Sequence, residues 1–142
     1  MNRQLARPVA IALIERDDEI LVFEVPDEVK KVVGWRLPGG TIEFGERGSD
    51  TVMREIREEL GVDVVDPIYL GTAENIFRYL GVVGHELVRV YKVRFADMRL
   101  YERDRFDCVE ANGVPFTCIW KPIAEFRGGV PLYPDGLLEL IA

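Results

Sequence analysis

The sequence contains little cysteine and no long apolar run. Its two cysteines, Cys108 and Cys118, form neither a disulfide framework nor a metal-knuckle spacing. The purest apolar stretch, residues 9–14, has the length of a strand, whereas a membrane helix needs ~20 residues. Met1 is followed by polar residues, so no signal peptide is expected. We therefore expect two reduced thiols, no membrane partner and a cytoplasmic location.

Positive charge is also scarce. Eighteen Lys and Arg stand against 25 Asp and Glu, which gives a net charge of −7. A field of that sign repels the phosphate backbone of nucleic acids, so stable DNA binding is disfavoured. The expected partner is a small molecule, and the place where the acid concentrates becomes the informative feature.

The chain is long enough for one compact domain, residues 1–142, and shows no repeat or linker. The pattern predicts one central helix, a closing helix over residues 136–142, and a charged loop over residues 26–31. Strands are predicted over residues 8–15, 19–25, 62–69, 87–96, 106–111 and 114–120. The first two should form a hairpin, and Asn112-Gly113 predicts a type I′ turn. The expected fold class is α/β, with a mixed sheet.

The strongest helix prediction covers residues 49–60. Its apolar residues form one stripe about 100° wide, which we expect to pack on the sheet. Ser49 is the expected N-cap, although Gly48 is a possible start, and Gly61 should end the helix. The stripe consists of Val52, Met53, Ile56 and Leu60.

Three acids, Glu55, Glu58 and Glu59, lie on the arc beside that stripe. Like charges three or four residues apart destabilise an exposed helix by a few tenths of a kcal/mol per pair, and acids late in a helix face its negative end. Arg54 can neutralise one acid but cannot serve all three. A hard divalent cation with oxygen ligands, Mg²⁺ or Mn²⁺, would remove the repulsion. A solvated, glutamate-rich helix is the alternative for this segment alone.

The surrounding spacing favours the metal. Residues 40–62 read GTIEFGERGSDTVMREIREELGV, and this string resembles the Nudix box at all nine of its specified positions. Background residue frequencies give a chance match on the order of 10⁻¹⁰ per start point. The resemblance implies a Nudix-type α/β/α sandwich in which the box forms a loop–helix–loop. It also implies Mg²⁺-dependent attack of water on the diphosphate linkage of a nucleoside diphosphate joined to a group X.

The resemblance also implies residue roles. Glu58 and Glu59 would be metal ligands, with the Gly39 carbonyl completing part of the shell. Glu55 would be a further ligand or the base that orients water. Arg54 would hold a box carboxylate in position, so Arg54, Glu55 and Glu58 form the expected catalytic set. Mg²⁺ is the expected cofactor, with Mn²⁺ as a substitute, and members of the family often form homodimers.

Three glutamates outside this set carry secondary expectations. Glu46 would support the loop or a second metal. The catalytic base of family members lies in the box or on a later loop, where Glu102 and Glu110 are the candidates here. Glu110 is also a candidate for substrate contact.

The substrate is less well specified. Tyr79 lies 17 residues after Val62, a spacing associated with dinucleoside polyphosphate hydrolases, while Phe77 replaces the proline associated with ADP-ribose hydrolysis. Nucleotide sugars and nucleoside triphosphates stay open. Other residues considered for the ligand are Phe23, Phe77, Tyr91, Arg78, Arg89 and His85, and Trp35 is expected to pack beside the box.

Two alternatives to hydrolysis remain. A non-catalytic nucleotide-binding module could keep the fold, although such modules usually have an eroded box. An isoprenyl diphosphate isomerase would share the fold, but nothing in the sequence places Cys108 or Cys118 beside such a site.

Overall fold

The computed structural model describes residues 4–27 and 30–141 and has ten strands and three α-helices. The helices are α1 (Gly48–Leu60), α2 (Ile123–Arg127) and α3 (Leu137–Ile141), and a 3₁₀ helix covers Met98–Glu102. The strands are β1 (Arg7–Leu13), β2 (Glu15–Arg16), β3 (Glu19–Asp27), β4 (Val32–Arg36), β5 (Gly39–Thr41), β6 (Val64–Tyr79), β7 (Val82–Phe95), β8 (Arg105–Val109), β9 (Pro115–Pro122) and β10 (Leu132–Tyr133).

The strands form two mixed sheets. The first sheet has the order β5-β1-β7-β6, with β1 antiparallel to β5 and parallel to β7. The second has the order β10-β4-β3-β9-β8, and within it β10 runs parallel to β4, β2 pairs with β3, and the other neighbours are antiparallel. The predicted mixed α/β class is confirmed, with two mixed sheets.

Side chains of β1 alternate between two hydrophobic cores. Ala10 and Ala12 face the core that contains the apolar stripe of α1, whereas Val9 and Ile11 face the core that contains residues of α2 and α3. Successive strand residues point to opposite faces, so a strand that is apolar throughout must be covered on both sides. Helices on both sides of the strands give the α/β/α sandwich.

The hairpin predicted between residues 8–15 and 19–25 is wrong for most of its length. β1 ends at Leu13 and pairs within the first sheet, and only Glu15–Arg16 pairs with β3. The Leu21 amide donates to the Ile14 carbonyl at 3.0 Å, where the chain passes from one sheet to the other. Two strands that are both buried on both faces each need their own neighbours, so the chain divides them between sheets.

Helix α1 begins one residue earlier than the main prediction. Arg47 occupies the capping position without a side-chain hydrogen bond, so the Ser49 cap is wrong and the alternative start at Gly48 is confirmed. The Asp50 amide instead donates to the Arg47 carbonyl at 2.9 Å. Gly61 ends the helix as predicted, with φ of 71°, a left-handed conformation that glycine adopts without strain.

The loop between β8 and β9 is longer than a type I′ turn. The Gly113 amide donates to the Glu110 carbonyl, and the Glu110 amide donates to the Val114 carbonyl, both at 2.9 Å. Gly113 has a positive φ of 86°, but Asn112 does not, whereas a type I′ turn requires both. The predicted turn type is therefore wrong, and the three-residue loop leaves Glu110 at its base.

Strands β6 and β7 are longer than predicted. Their two-residue connection, Leu80-Gly81, has positive φ at both positions, the geometry of a type I′ turn. Leucine is unfavourable in that conformation, so composition does not indicate the turn. The predicted charged loop falls partly on residues 28 and 29, which lie outside the described residues, and β3 continues to residue 27.

The closing helix is confirmed as α3 up to residue 141, whereas α2 was not anticipated. Within the described part of the chain, no helix is long and apolar enough to cross a membrane.

Candidate active site

A cavity of about 580 Å³ opens beside β5 and the acids of α1. Both sheets, the box helix and the loop after β8 contribute to its wall. The acidic residues that line it are Glu43, Glu55, Glu58, Glu59, Glu86 and Glu110. A cavity with this many carboxylates in a protein of net charge −7 needs cations to hold an anionic ligand.

Arg54 and Glu46 join the box loop to the box helix. Arg54 Nε lies 2.7 Å from Glu46 Oε2 and Arg54 Nη2 lies 2.9 Å from Glu46 Oε1, a two-point pairing with defined geometry. Thr51 Oγ1 donates to Glu46 Oε1 at 2.7 Å. Hydrogen bonds from Arg54 lower the pKa of Glu46 to about 2. Glu46 therefore joins the box loop to the box helix, a position that agrees with the loop-supporting role predicted for it.

Arg54 also contacts two of the three helix acids. Its Nη1 lies 3.0 Å from Glu55 Oε1 and 3.2 Å from Glu58 Oε2. Its Nη2 donates to the Thr41 carbonyl at 3.1 Å. Arg54 thus contacts more than the one acid expected from the sequence, because its guanidinium carries five N–H donors.

Glu59 is the acid that Arg54 does not reach. Its Oε1 is buried and has no hydrogen-bond partner among the described residues. Burial, together with the neighbouring Glu55 carboxylate, raises the pKa of Glu59 to about 9. A buried polar atom without a partner is unfavourable, so this position calls for a cation or a proton.

The residues present fit a hard divalent cation. Gly39, Glu55, Glu58 and Glu59, the four predicted ligands, all line the cavity and offer oxygen donors. Among residues 4–27 and 30–141, no three His, Cys, Asp or Glu side chains already stand in ligating positions, and Glu58 leans toward Arg54. The buried Glu59 oxygen without a hydrogen-bond partner among the described residues is a second observation that fits such a cation.

Gly39 and Gly40 allow close approach of neighbouring atoms, and neither has a positive φ. A Cβ at Gly39 would lie 2.1 Å from the Ala10 carbonyl oxygen, and one at Gly40 would lie 2.3 Å from Glu55 Cδ. The first glycine lets β5 pair with β1. The second leaves the space that the Glu55 carboxylate occupies.

A cationic cluster, Arg7, Arg36 and Glu86, lines the same cavity and was missed by the sequence analysis. Glu86 is 2% exposed and pairs with Arg7, and Arg36 Nη2 lies 3.3 Å from Glu86 Oε1. Asn75 Nδ2 donates to the same oxygen at 3.2 Å. Burial alone would raise the pKa of Glu86, but the hydrogen bond from Arg7 and the charge of Arg36 hold it below its ordinary value.

One signal could have found Glu86. It lies in phase with Val88 and Val90 on β7, so strand alternation places it on a buried face. A carboxylate on a buried face requires cationic partners. Arg7 and Arg36 carry no comparable local signal.

The family profile described as NUDIX domain matches residues 5–122. The chain belongs to the Nudix family. The predicted enzyme class, a hydrolase acting on phosphorus-containing anhydrides, is confirmed at the level of that family.

Individual relatives are more distant. The chain is 31% identical over 111 residues to the nucleoside triphosphatase NudI of Escherichia fergusonii, with 75% of this chain and 70% of that protein aligned. It is 34% identical over 67 residues to the CTP pyrophosphohydrolase of Escherichia coli, with 47% and 50% aligned, so the match spans half of that relative. The crystal structure of a MutT NUDIX hydrolase from Burkholderia pseudomallei superposes with a TM-score of 0.69 at 24% identity, covering 97% and 98% of the chains. That likeness supports the fold.

The structure separates the candidates outside the Nudix box. Glu110 lines the cavity, whereas Glu102 ends the 3₁₀ helix and is not among the lining residues. Tyr79 is exposed at the tip of the β6–β7 hairpin and does not line the cavity either. Of the two predicted substrate contacts, the cavity includes only Glu110.

Phe23 is the aromatic residue on the cavity wall, and its ring centroid lies 5.0 Å from that of Phe116. Trp35 does not pack beside the box as expected. Its ring lines a separate groove with Phe116, lies 4.7 Å from Lys121 Nζ, and packs against the core that contains residues of α2 and α3. The remaining residues considered for the ligand lie outside the cavity lining: Tyr91, Phe77, Arg78, Arg89 and His85.

Proposed function

We propose that this Nudix protein is a divalent-metal-dependent pyrophosphohydrolase that cleaves the diphosphate linkage of a nucleoside diphosphate joined to a group X. The observation that carries the proposal is the unpartnered, buried Glu59 oxygen beside Glu55 in a cavity rimmed by the box acids. A structural helix would gain stability by losing that carboxylate, whereas a metal site requires it.

Glu55, Glu58, Glu59 and the Gly39 carbonyl would hold the ion, which we propose to be Mg²⁺, with Mn²⁺ as a substitute. When bound, such an ion neutralises charge on phosphoryl oxygens and makes water more acidic. Arg54 holds the loop and the helix in register through Glu46 and Thr41, so the acids meet at a defined place.

We assign the orientation of the attacking water to Glu55. Its Oε1 lies 3.0 Å from Arg54 Nη1, and the absence of a side chain at Gly40 leaves space for its carboxylate. Glu110 is the second candidate, because it lines the same cavity from the loop between β8 and β9. Replacing Glu55 and Glu110 by Gln in turn separates the two candidates. Loss of the base should remove the part of the pH–rate profile in which the rate increases with pH, and loss of a residue that is not the base should not.

The substrate is proposed to be a small nucleotide. Phe23 offers a ring against which a base can stack. Two relatives, a nucleoside triphosphatase and a CTP pyrophosphohydrolase, favour nucleoside triphosphates within the proposed class. The dinucleoside polyphosphate suggested by Tyr79 has less support, because Tyr79 does not line the cavity.

Four further expectations remain proposals. Residues 1–142 would act as one domain, without stable DNA binding, as a homodimer and in the cytoplasm. The two buried free cysteines, Cys108 and Cys118, are compatible with a reducing compartment.

The test is a hydrolysis screen with and without Mg²⁺, covering nucleoside triphosphates, nucleotide sugars, dinucleoside polyphosphates and ADP-ribose, with products identified. Glu58→Gln and Glu59→Gln should abolish most turnover, while Glu74→Gln, an exposed glutamate outside the cavity, should not. Tight nucleotide binding without product would favour the binding-module alternative. Metal-independent turnover would refute the proposal.

A further inference from the structure

The cationic cluster lies where the two sheets meet at the cavity. Arg7 and Glu86 occupy paired positions on the parallel strands β1 and β7 of the first sheet. Arg36 belongs to β4 of the second sheet and reaches across to Glu86 at 3.3 Å. The cluster therefore spans both sheets, and all three of its residues line the cavity.

The cluster carries more positive charge than its carboxylate needs. Glu86 contributes one negative charge, whereas Arg7 and Arg36 contribute two positive charges. Two guanidiniums also carry ten N–H donors, and one carboxylate accepts only part of them. A tie between the sheets would need a single arginine, so the second leaves a net cationic surface on the cavity wall.

The cluster also connects directly to the Nudix box. Arg7 Nη1 donates to Thr41 Oγ1 at 3.0 Å, and Arg54 Nη2 donates to the carbonyl of the same residue at 3.1 Å. Thr41 thus lies between the cationic cluster and the arginine that organises the box acids. An extended anion that a metal ion holds at the acids would lie in the same cavity as these arginines.

We propose that Arg7 and Arg36, oriented by Glu86, bind a phosphoryl group of the substrate other than the one at the metal. The inference rests on the proposed function, because it names a substrate subsite of the same cavity. Planar guanidiniums suit this task, since they pair with phosphate oxygens at two points and keep their charge at every physiological pH. Glu86 acts as a positioning residue.

Binding without metal tests the subsite separately from catalysis. The probe is inorganic pyrophosphate, titrated by calorimetry into the wild-type chain in the presence of EDTA and at low salt. Arg36→Met should weaken the affinity by about tenfold to a hundredfold, and Arg7→Met, which removes the more exposed partner, by about tenfold. Arg99→Met is the matched control, because Arg99 is also ion-paired but lies outside the cavity; it should stay within about twofold.

Arg36→Lys keeps the charge and lets the variant retain its ion pair with Glu86, so it decides the matter if Arg36→Met does not fold. An intermediate loss of affinity supports two-point recognition by the guanidinium. In the presence of Mg²⁺, the methionine variants should raise KM more than they lower kcat.

The outcomes separate this inference from the proposed function. If no substrate is hydrolysed but the arginine variants lose pyrophosphate affinity, the subsite stands and the pyrophosphohydrolase assignment falls. If hydrolysis is found but Arg7→Met and Arg36→Lys keep wild-type affinity and KM, the subsite is refuted. Absence of pyrophosphate binding to the metal-free wild-type chain at millimolar concentration also refutes it.

Discussion

Two glutamates of the same cavity, Glu59 and Glu86, each have a buried carboxylate oxygen and behave in opposite ways. Glu86 is surrounded by Arg7, Arg36 and Asn75, and its pKa is lowered despite its burial. Glu59 has an oxygen without any partner among the described residues, and its pKa is raised to about 9. Two arginines pair with Glu86, whereas the buried oxygen of Glu59 has no hydrogen-bond partner in the described part of the chain. The difference separates a carboxylate held by its partners from the carboxylate that we propose as a metal ligand.

The largest expected effect comes from substitution of Glu59. Glu59→Gln should lower kcat by about 10²- to 10⁴-fold, because the variant removes a charged oxygen from the proposed metal site. It should leave the thermal midpoint in EDTA unchanged or higher, since a buried carboxylate oxygen without a partner is unfavourable. Mg²⁺-dependent kinetics and thermal unfolding measure the two quantities. A wild-type rate, or a large loss of stability, would remove the contrast with Glu86.

The two glycines of β5, Gly39 and Gly40, offer a second test of the part of the cavity that contains Glu55 and Glu59. Gly40→Ala should lower kcat by about 10²-fold with little loss of stability, because the new Cβ displaces only the Glu55 carboxylate. Gly39→Ala should instead destabilise the fold by about 2 kcal/mol or more, because its Cβ meets the backbone of β1. Kinetics and urea denaturation of both variants check the pair. Equal effects on stability would contradict the distinction.

Substitution of Glu86, the carboxylate with cationic partners, should change the stability of the fold. Glu86→Gln leaves two arginines facing each other without a carboxylate, and we expect a loss of about 1–3 kcal/mol in the free energy of unfolding. The lower end is set by the partial exposure of the arginines. Glu74→Gln on β6 is the matched control and should change it by less than about 0.5 kcal/mol. An equally small change for both variants would mean that Glu86 is not held by its partners.

The smallest expected effect is a pH dependence. The pKa of Glu86 lies below its ordinary value of 4.5 in the folded chain, so its ionised form favours folding. That contribution is complete above about pH 4.5 and is lost as the pH falls through the lowered pKa. The stability difference between wild type and Glu86→Gln should therefore be constant near neutrality and shrink as the pH falls below about 4.5. Urea denaturation at several pH values measures it, and a difference that grows on acidification would reverse the assigned sign.

Local spacing was enough to predict the box helix and its acids. Val52, Ile56 and Leu60 repeat with the period of a helix and are buried, and Gly61 ends the helix in the left-handed conformation. These features depend on residues close together in the chain. Their geometry follows from helix periodicity and from the freedom of glycine.

Pairing between distant segments was not predictable in the same way. The residues 8–15 have two apolar faces, which indicates burial but does not say which strands lie beside them. The turn at Leu80-Gly81 has no composition signal, and the loop after β8 differs from the type that Asn112-Gly113 favours. Tyr79 has a suggestive spacing but lies at a hairpin tip outside the cavity.

By itself, the sequence determined the family, the α/β class and the acidic helix, because each is written in residue types at short, regular spacing. Only the tertiary structure brought Arg7, Arg36 and Glu86 together, from three strands in two sheets. It also decided which acid lies among cationic side chains and which has an oxygen without a partner in the described part of the chain. Burial and long-range contacts set the cost of a charge, and neither is a property of neighbouring residues in the chain.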